Sequence, residues 1–294
     1  MFNIEYKKIS SLEIIASDAC SSINPDEYKI NLILAYEIST ASLIENVLSD
    51  VHQLAEQWSA DECPKNLYFN HGQYKVGGVD NIISELKEKP SSNRALYSLI
   101  NQETIMNSGD DPIPSFMLFQ CVLERGVLYC NVYLRALEVS KFLRINLEEI
   151  RINIERIYNS SLSFDSVRLV IFACRAHHSP NFNPLEKPKL DLLSQYQMLT
   201  MLKHDRSELA RVLEQMAGGQ TVIKSKSLRD LYEIVDGEWN GSNKQRLLSL
   251  LDTTIGDIEE LQAIRKQHSH HERVSALNSS ISKKLDNIAG EFKQ

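Results

Sequence analysis

Apolar and polar positions alternate in two different rhythms along this chain, and the rhythm changes near residue 190. Before that point, β-branched and aromatic runs alternate with stretches of helical spacing. KINLILAYEI (29–38) reads as a buried strand. Ser42 and Glu45 then form a capping box, which predicts a helix ending near Trp58 with Leu43, Val47, Val51, Leu54 and Trp58 on one face. Gly72, Gly77 and Gly78 mark a loop. Val79, Ile82, Ile83 and Leu86 recur at helical spacing until Lys89-Pro90 stops them. RALYSLI (94–100) is a strand by composition. FMLFQCVLE (116–124) and VLYCNVYL (127–134), separated by Arg125-Gly126, form the clearest hairpin signal. Asn146 with Glu149 predicts a capped helix start, followed by a stripe at Leu147, Ile150, Ile154 and Ile157. VRLVIFACR (167–175) reads as a further buried strand that runs into the loop AHHSPNFNP.

From Leu190 onward almost every segment has helical spacing: LLSQYQMLTML, LARVLEQMAGG, LRDLYEIV, LLSLLDTTIGDIEELQAI and SALNSSISKKLDNIAGEF. The Gly218-Gly219 pair and the segment 237–243 read as helix stops, so three to five short helices are expected. No repeat period is evident.

Composition narrows the class of protein. At 294 residues the chain suffices for one large domain or two ordinary ones. A formal charge of −7 argues against general nucleic-acid binding, which needs a basic face. Lys224, Lys226 and Arg229 are too few to change that. No apolar run reaches the length of a membrane span, and MFNIEYKKIS has no apolar signal core. The five cysteines (Cys20, Cys63, Cys121, Cys130, Cys174) show neither zinc spacing nor a disulfide framework, which fits a reducing cytoplasm. His268, His270, His271 and Glu272 offer two ligands at most from one helical turn, so they read as a solvated face and no metal is expected. Phosphate-loop and nucleophile-elbow patterns are absent, and no cofactor is expected.

The middle of the chain resembles thymidylate synthase. Gly77-Gly78-Val79-Asp80-Asn81-Ile82 followed by LKEKPSSNRALYSLIN is similar to the family's GG-x-DQ-I helix and its SRR-hydrophobic-SAWN strand. PIPSFMLFQCVLERGVLYCNVYLRALEVSKFL resembles the family's catalytic-cysteine strand and the YQRS strand that follows it. HHSPNFNPL (177–185) is similar to the family's H-x-Y-x-NH segment. Order and approximate spacing hold over residues 72 to 185, and no single motif is intact.

The resemblance implies a thymidylate-synthase-like mixed sheet that pairs back to back as a homodimer. It implies that Arg94 and Arg135 bind the phosphate of a nucleoside monophosphate, Arg94 reaching across the dimer. Guanidinium forks suit a phosphate dianion; the rival reading is a pair of strand-edge arginines salt-bridged to Glu138 or Glu124. Gln120 matches the family's strand glutamine, and His177 the histidine that contacts the deoxyribose hydroxyl. The departures are equally specific. Asn93 replaces the first arginine of SRR, Ala136 the serine of YQRS, and Glu138 the aspartate two residues on. By position Glu148 replaces the asparagine that reads the pyrimidine edge, and Ser179 the tyrosine partner of His177. The catalytic cysteine becomes Ser115 and the histidine after it Phe116. A serine hydroxyl needs an adjacent base to act as a nucleophile, and Phe116 is not one; only a distant group such as His177 or His71 would serve.

The expected fold is therefore α+β, with a thymidylate-synthase-like mixed sheet domain over 1–188 and an all-helical C-terminal domain over 189–294. The expected function is that of a catalytically degenerate homologue, not a working thymidylate synthase and with no catalytic residue assigned. It would bind a nucleotide-like ligand, a protein partner through 189–294, or both. Arg94 and Arg135 would hold phosphate, and Ser115, Gln120, Glu138, Glu148 and His177 would line the pocket. Two alternatives stand beside it. One is an enzyme of altered chemistry on a pyrimidine nucleotide, using Glu138, Glu148 or His177 as acid–base groups. The other is a dimeric scaffold with no small-molecule ligand. Fold alone does not choose among them.

Overall fold

A computed structural model of the chain describes residues 4–64, 67, 69–75, 77–107, 113–182, 193, 196–218, 224–267 and 272–293. The chain forms two compact units: Met1–Asn107 with Ile113–Leu185, and a second containing Glu186–Gln294. The first is α+β and the second is helical. His268, His270 and His271 lie outside the described residues, and no group of three metal-ligating side chains occurs among the described ones. No described helix is long and apolar enough to cross a membrane.

The first unit is built on one six-stranded mixed sheet. In chain order its strands are β1 (Lys7–Ile9), β2 (Tyr28–Ser39), β3 (Leu96–Ser98), β4 (Phe116–Glu124), β5 (Val127–Glu138) and β6 (Ser166–His177). Across the sheet they lie β1-β2-β6-β5-β4-β3. The two parallel contacts, β1 with β2 and β5 with β6, need crossover connections. Helices α1 (Glu13–Ser21) and, further along the chain, α6 (Phe142–Asn159) supply them. Between these lie α2 (Thr40–Glu45), α3 (His52–Ser59), α4 (Gly78–Glu88) and α5 (Gln102–Asn107). The β4–β5 hairpin turns at Arg125 and Gly126, with φ of 51° and 74°. Two consecutive left-handed residues give the tight turn whose twist matches its strands.

Alternation along each strand sends one set of side chains into the core. Leu32, Leu34, Tyr36 and Ile38 of β2 meet Val167, Leu169 and Ile171 of β6 and Leu128, Cys130 and Val132 of β5 there. Val79, Ile82 and Leu86 of α4 and Leu143, Leu147, Ile150 and Ile154 of α6 cover that layer. The opposite face carries Ile33, which is 59% exposed, with Val170, Phe172 and Tyr133 half-buried; the Tyr133 and Phe172 rings stack at 5.4 Å.

A break in the ladder runs straight across this sheet. Pairing between β2 and β6 lapses at Asn31, itself left-handed at φ 56°, opposite Cys174. Between β5 and β6 it lapses at Arg135, again opposite Cys174, and β4 slips register between Phe116 and Leu118. Irregularities of this kind bend strands and re-aim side chains. Here the break falls on Arg135 and the entrance to β4.

Several boundaries differ from the sequence pattern. The helix expected from Ser42 to Trp58 is two helices, α2 and α3. Ser39 caps the first by accepting from Ser42 N–H at 3.1 Å, and Asn46 ends it by donating from Nδ2 to the Ser42 carbonyl at 2.7 Å. α6 begins at Phe142, not at Asn146, because the Glu138 carboxylate takes the free N–H groups of its start: Lys141 at 2.8 Å and Phe142 at 3.0 Å. The strand expected over 94–100 shrinks to Leu96–Ser98 at the sheet edge.

The second unit contains α7 (Met198–His204), α8 (Arg206–Gly218), α9 (Lys226–Glu238), α10 (Lys244–Gln267) and α11 (Glu272–Phe292). The last two, at 24 and 21 residues, are long rather than short. Leu209, Leu213 and Met216 of α8, Leu231 of α9, Leu251 and Ile258 of α10, and Ile281 and Leu285 of α11 share one core of its own. Arg229 is paired with Glu259.

Candidate functional site

The break in the sheet brings Arg135 against the segment entering β4. Its Nε donates to the Pro114 carbonyl at 3.1 Å and its Nη2 to the Ile113 carbonyl at 2.8 Å, while its main-chain N–H donates to the Ser115 carbonyl at 2.9 Å. Arg135 and Ser115 are thus neighbours. No carboxylate pairs with Arg135 among the described residues, and partial desolvation lowers its pKa with no compensating charge. Glu124 instead faces Arg125, and Glu138 caps α6, so neither salt-bridges Arg135 or Arg94. Arg94 is exposed just before the edge strand β3. Gln120 lies on the face away from the core, donates to the Asn93 carbonyl at 3.0 Å, and pairs with Asn131, four residues along β5 from Arg135. At about 3.3 Å per residue that places it roughly 13 Å from Arg135, outside a shared contact.

Glu138 and His177 are cross-strand partners at the ends of β5 and β6. Beyond its contacts with α6, the Glu138 carboxylate accepts from Ser140 Oγ at 2.6 Å, Ser140 N–H at 2.8 Å and Ser179 N–H at 3.2 Å. Burial opposes its charge, but the Ser140 hydroxyl and the main-chain N–H groups of Phe142, Lys141 and Ser140 outweigh that and hold its pKa below the ordinary value. It is engaged in structure on all sides. Burial lowers the pKa of His177, against an upward pull from Glu138, which favours the neutral imidazole.

Glu148 is fully enclosed. Its carboxylate accepts from Arg151 Nε at 2.8 Å and Leu48 N–H at 3.1 Å and meets His52 Nδ1 at 2.7 Å. This network ties α6 to the α2–α3 connection and leaves the carboxylate nothing to offer a ligand. The unpartnered side chain of α6 lies two residues earlier. Asn146 is 1% exposed, yet neither its Oδ1 nor its Nδ2 has a hydrogen-bond partner.

Asn146 is one of a group. Phe142, Asn146, Glu149 and Asn153 fall at helical spacing on one side of α6, and all but Phe142 are buried. Opposite them stands His71, 2% exposed, whose Nδ1 is 2.9 Å from Glu149 Oε2. Its position is fixed by packing. Gly72 sits so close to Ala60 that a Cβ would lie 1.9 Å from that carbonyl oxygen, and Asn70 Nδ2 ties the turn to the Gln57 and Ala60 carbonyls at the end of α3. His71 N–H donates to the Trp58 carbonyl at 2.8 Å, and the two rings lie 4.9 Å apart. Ser59 Oγ donates to Glu149 at 3.2 Å and receives Lys75 Nζ at 3.3 Å. Burial lowers the pKa of Lys75, opposed by Glu149, and burial raises that of Tyr97, which accepts from Asn153 Nδ2 at 3.0 Å.

Four buried side-chain atoms in this cluster have no hydrogen-bond partner among the described residues: Trp58 Nε1, His71 Nε2 and both amide atoms of Asn146. Each such atom costs about 1–3 kcal/mol when nothing satisfies it. Groups of this kind are met by solvent or by a bound molecule, and here they gather around one turn of α6. Asn146, Glu149 and Asn153 recur at helical spacing on a buried side of this amphipathic helix, a signal legible in the sequence that a capping-box reading of the first two residues absorbs. No protein-family model matches the chain, and no curated protein matches it significantly.

Proposed function

We propose that the first unit is a divergent thymidylate-synthase-like domain that binds a nucleotide-like ligand and has lost thymidylate synthesis. The observation that carries the reading is Arg135, an exposed arginine whose guanidinium is held by two main-chain carbonyls and meets no carboxylate among the described residues. Such a cation favours a phosphate dianion, which it meets with directed N–H donors. Asn146 supports the same reading, since an amide with both atoms unpaired can donate to and accept from the edge of a heterocycle. Ser115 stands where the family has its thiolate, and no base is in hydrogen-bond contact with its hydroxyl among the described residues.

The rest of the proposal is architectural. The half-open apolar face of the sheet, with Ile33, Val170, Phe172 and Tyr133, suits back-to-back pairing of two copies, in which Arg94 would serve the partner's site. The helical unit would engage a protein partner. Free cysteines throughout, including Cys121 and Cys130 with sulfurs 3.6 Å apart, fit a reducing, cytoplasmic setting.

Calorimetric titration of the full chain with a panel of nucleoside monophosphates tests the ligand. Arg135→Ala should weaken the best binder about 10- to 100-fold, the worth of a charged hydrogen-bonded contact of roughly 1.5–3 kcal/mol. If no nucleotide binds the wild-type protein, the ligand reading fails and the dimeric scaffold is left.

A further inference from the structure

His71 and Glu149 form a buried pair. Glu149 takes one ring nitrogen of His71, Nδ1, at 2.9 Å, and Ser59 Oγ at 3.2 Å steadies the carboxylate. An ionised carboxylate only accepts, so in the neutral imidazole this contact selects the tautomer with the proton on Nδ1 and leaves the other nitrogen, Nε2, as the acceptor. Nε2 lies across the ring from Glu149, is buried, and has no partner. The ring is walled by Trp58 at 4.9 Å, Phe116 at 5.7 Å and Phe142 at 6.2 Å. Phe116 directly follows Ser115, and Phe142 is one turn from Asn146. Through these rings the acceptor adjoins the strand entrance at Ser115 and the helical turn that carries Asn146.

We propose that His71 is the site's proton acceptor for the bound molecule, taking an N–H or O–H of its ring portion at Nε2, with Glu149 as the positioning residue that fixes the tautomer. The assignment rests on the ligand-binding reading of the first unit. It adds that the ligand is recognised by a donor it presents, not by phosphate alone. It also supplies the oriented imidazole that acid–base chemistry would need, with the carboxylate–imidazole order of known general bases.

Two measurements on the full-length protein test it. In protein labelled at histidine ring nitrogens, the resonances missing from His71→Phe identify His71. They should show Nδ1 protonated and Nε2 bare at neutral pH, with that preference reduced in Glu149→Gln. A protonated Nε2 in the wild-type protein would overturn the proposal whatever the ligand. The second measurement compares binding of uridine 5′-monophosphate, which carries a ring N–H, with binding of inorganic phosphate. His71→Phe keeps an aromatic ring in place and should weaken the nucleotide at least tenfold while leaving phosphate unchanged. His71→Gln, which restores an acceptor, should recover part of the loss. Equal nucleotide affinity in wild type and His71→Phe refutes the role of His71 and leaves the nucleotide reading standing. Binding of neither probe removes both together.

Discussion

Replacing Arg151 by methionine would separate a structural role for Glu148 from a ligand-binding one. Arg151 is 2% exposed; besides Glu148 Oε1 at 2.8 Å it reaches Glu155 at 2.9 Å and the Ile44 carbonyl at 3.4 Å. Glu148 is 0% exposed, so it cannot turn to water when its cation is removed. Methionine fills much of the same volume, which keeps the cavity contribution small. What remains is the cost of an under-compensated buried charge, about 3–5 kcal/mol, and the surviving contacts to Leu48 N–H and His52 put the expectation near the lower end, about 3 kcal/mol. For a unit of this size that is a fall in midpoint of roughly 6–12 °C. The chain has two tryptophans, so a Trp239→Phe background leaves Trp58 as the only indole reporter, and it lies in the first unit, 5.0 Å from the Phe142 ring. Urea unfolding followed by Trp58 fluorescence should show the loss, and adding Glu148→Gln to Arg151→Met should restore at least about half of it. A loss under about 1 kcal/mol, or strict additivity of the two substitutions, would refute the argument that this pair acts as a closed structural unit.

Two further outcomes are expected. The folded-state pKa of Glu138 lies below its ordinary value, so its stabilisation is complete above that value and is lost as pH falls through the depressed one. Acid unfolding below the ordinary glutamate range should therefore be less steep in Glu138→Gln than in wild type, and equal slopes would contradict the capping role. If the open sheet face pairs two copies, sedimentation of the wild-type protein at micromolar concentration gives a dimer. Ile33→Glu or Phe172→Glu, which bury a charge there, should weaken it at least tenfold, to about the extent of an uncompensated polar group; a monomeric wild type would end the pairing argument.

Much of the sheet is legible in the chain because its elements are set by local rules. β2, β4, β5 and β6 coincide closely with runs of β-branched and aromatic residues, and Arg125-Gly126 specifies the hairpin between two of them. Local rules fail where a distant group decides. The start of α6 looks like Asn146 in sequence, but a carboxylate four residues before Phe142 sets it. The pattern also runs α2 and α3 together, because the Asn46 side-chain bond that closes α2 makes no mark on apolar periodicity. β1 and β3, three residues each, are too short to show a period and exist through pairing with longer neighbours.

The candidate site divides in the same way. Sequence alone determines which chemical groups are present: arginines at 94 and 135, serine at 115, carboxylates at 138 and 148, histidine at 177. It also determines that PIPSF presents a hydroxyl, at Ser115, and no thiol. Tertiary structure decides which of these groups are free to act. Glu138 and Glu148 are consumed by a helix start and a buried arginine, because a carboxylate taken out of water must be surrounded by donors. Asn146, His71 and Trp58 are left with unpaired atoms, because residues 75 to 88 positions apart in the chain converge on one turn of α6 and no described side chain satisfies them. Partner availability is a property of three-dimensional neighbours, and no spacing along the chain encodes it.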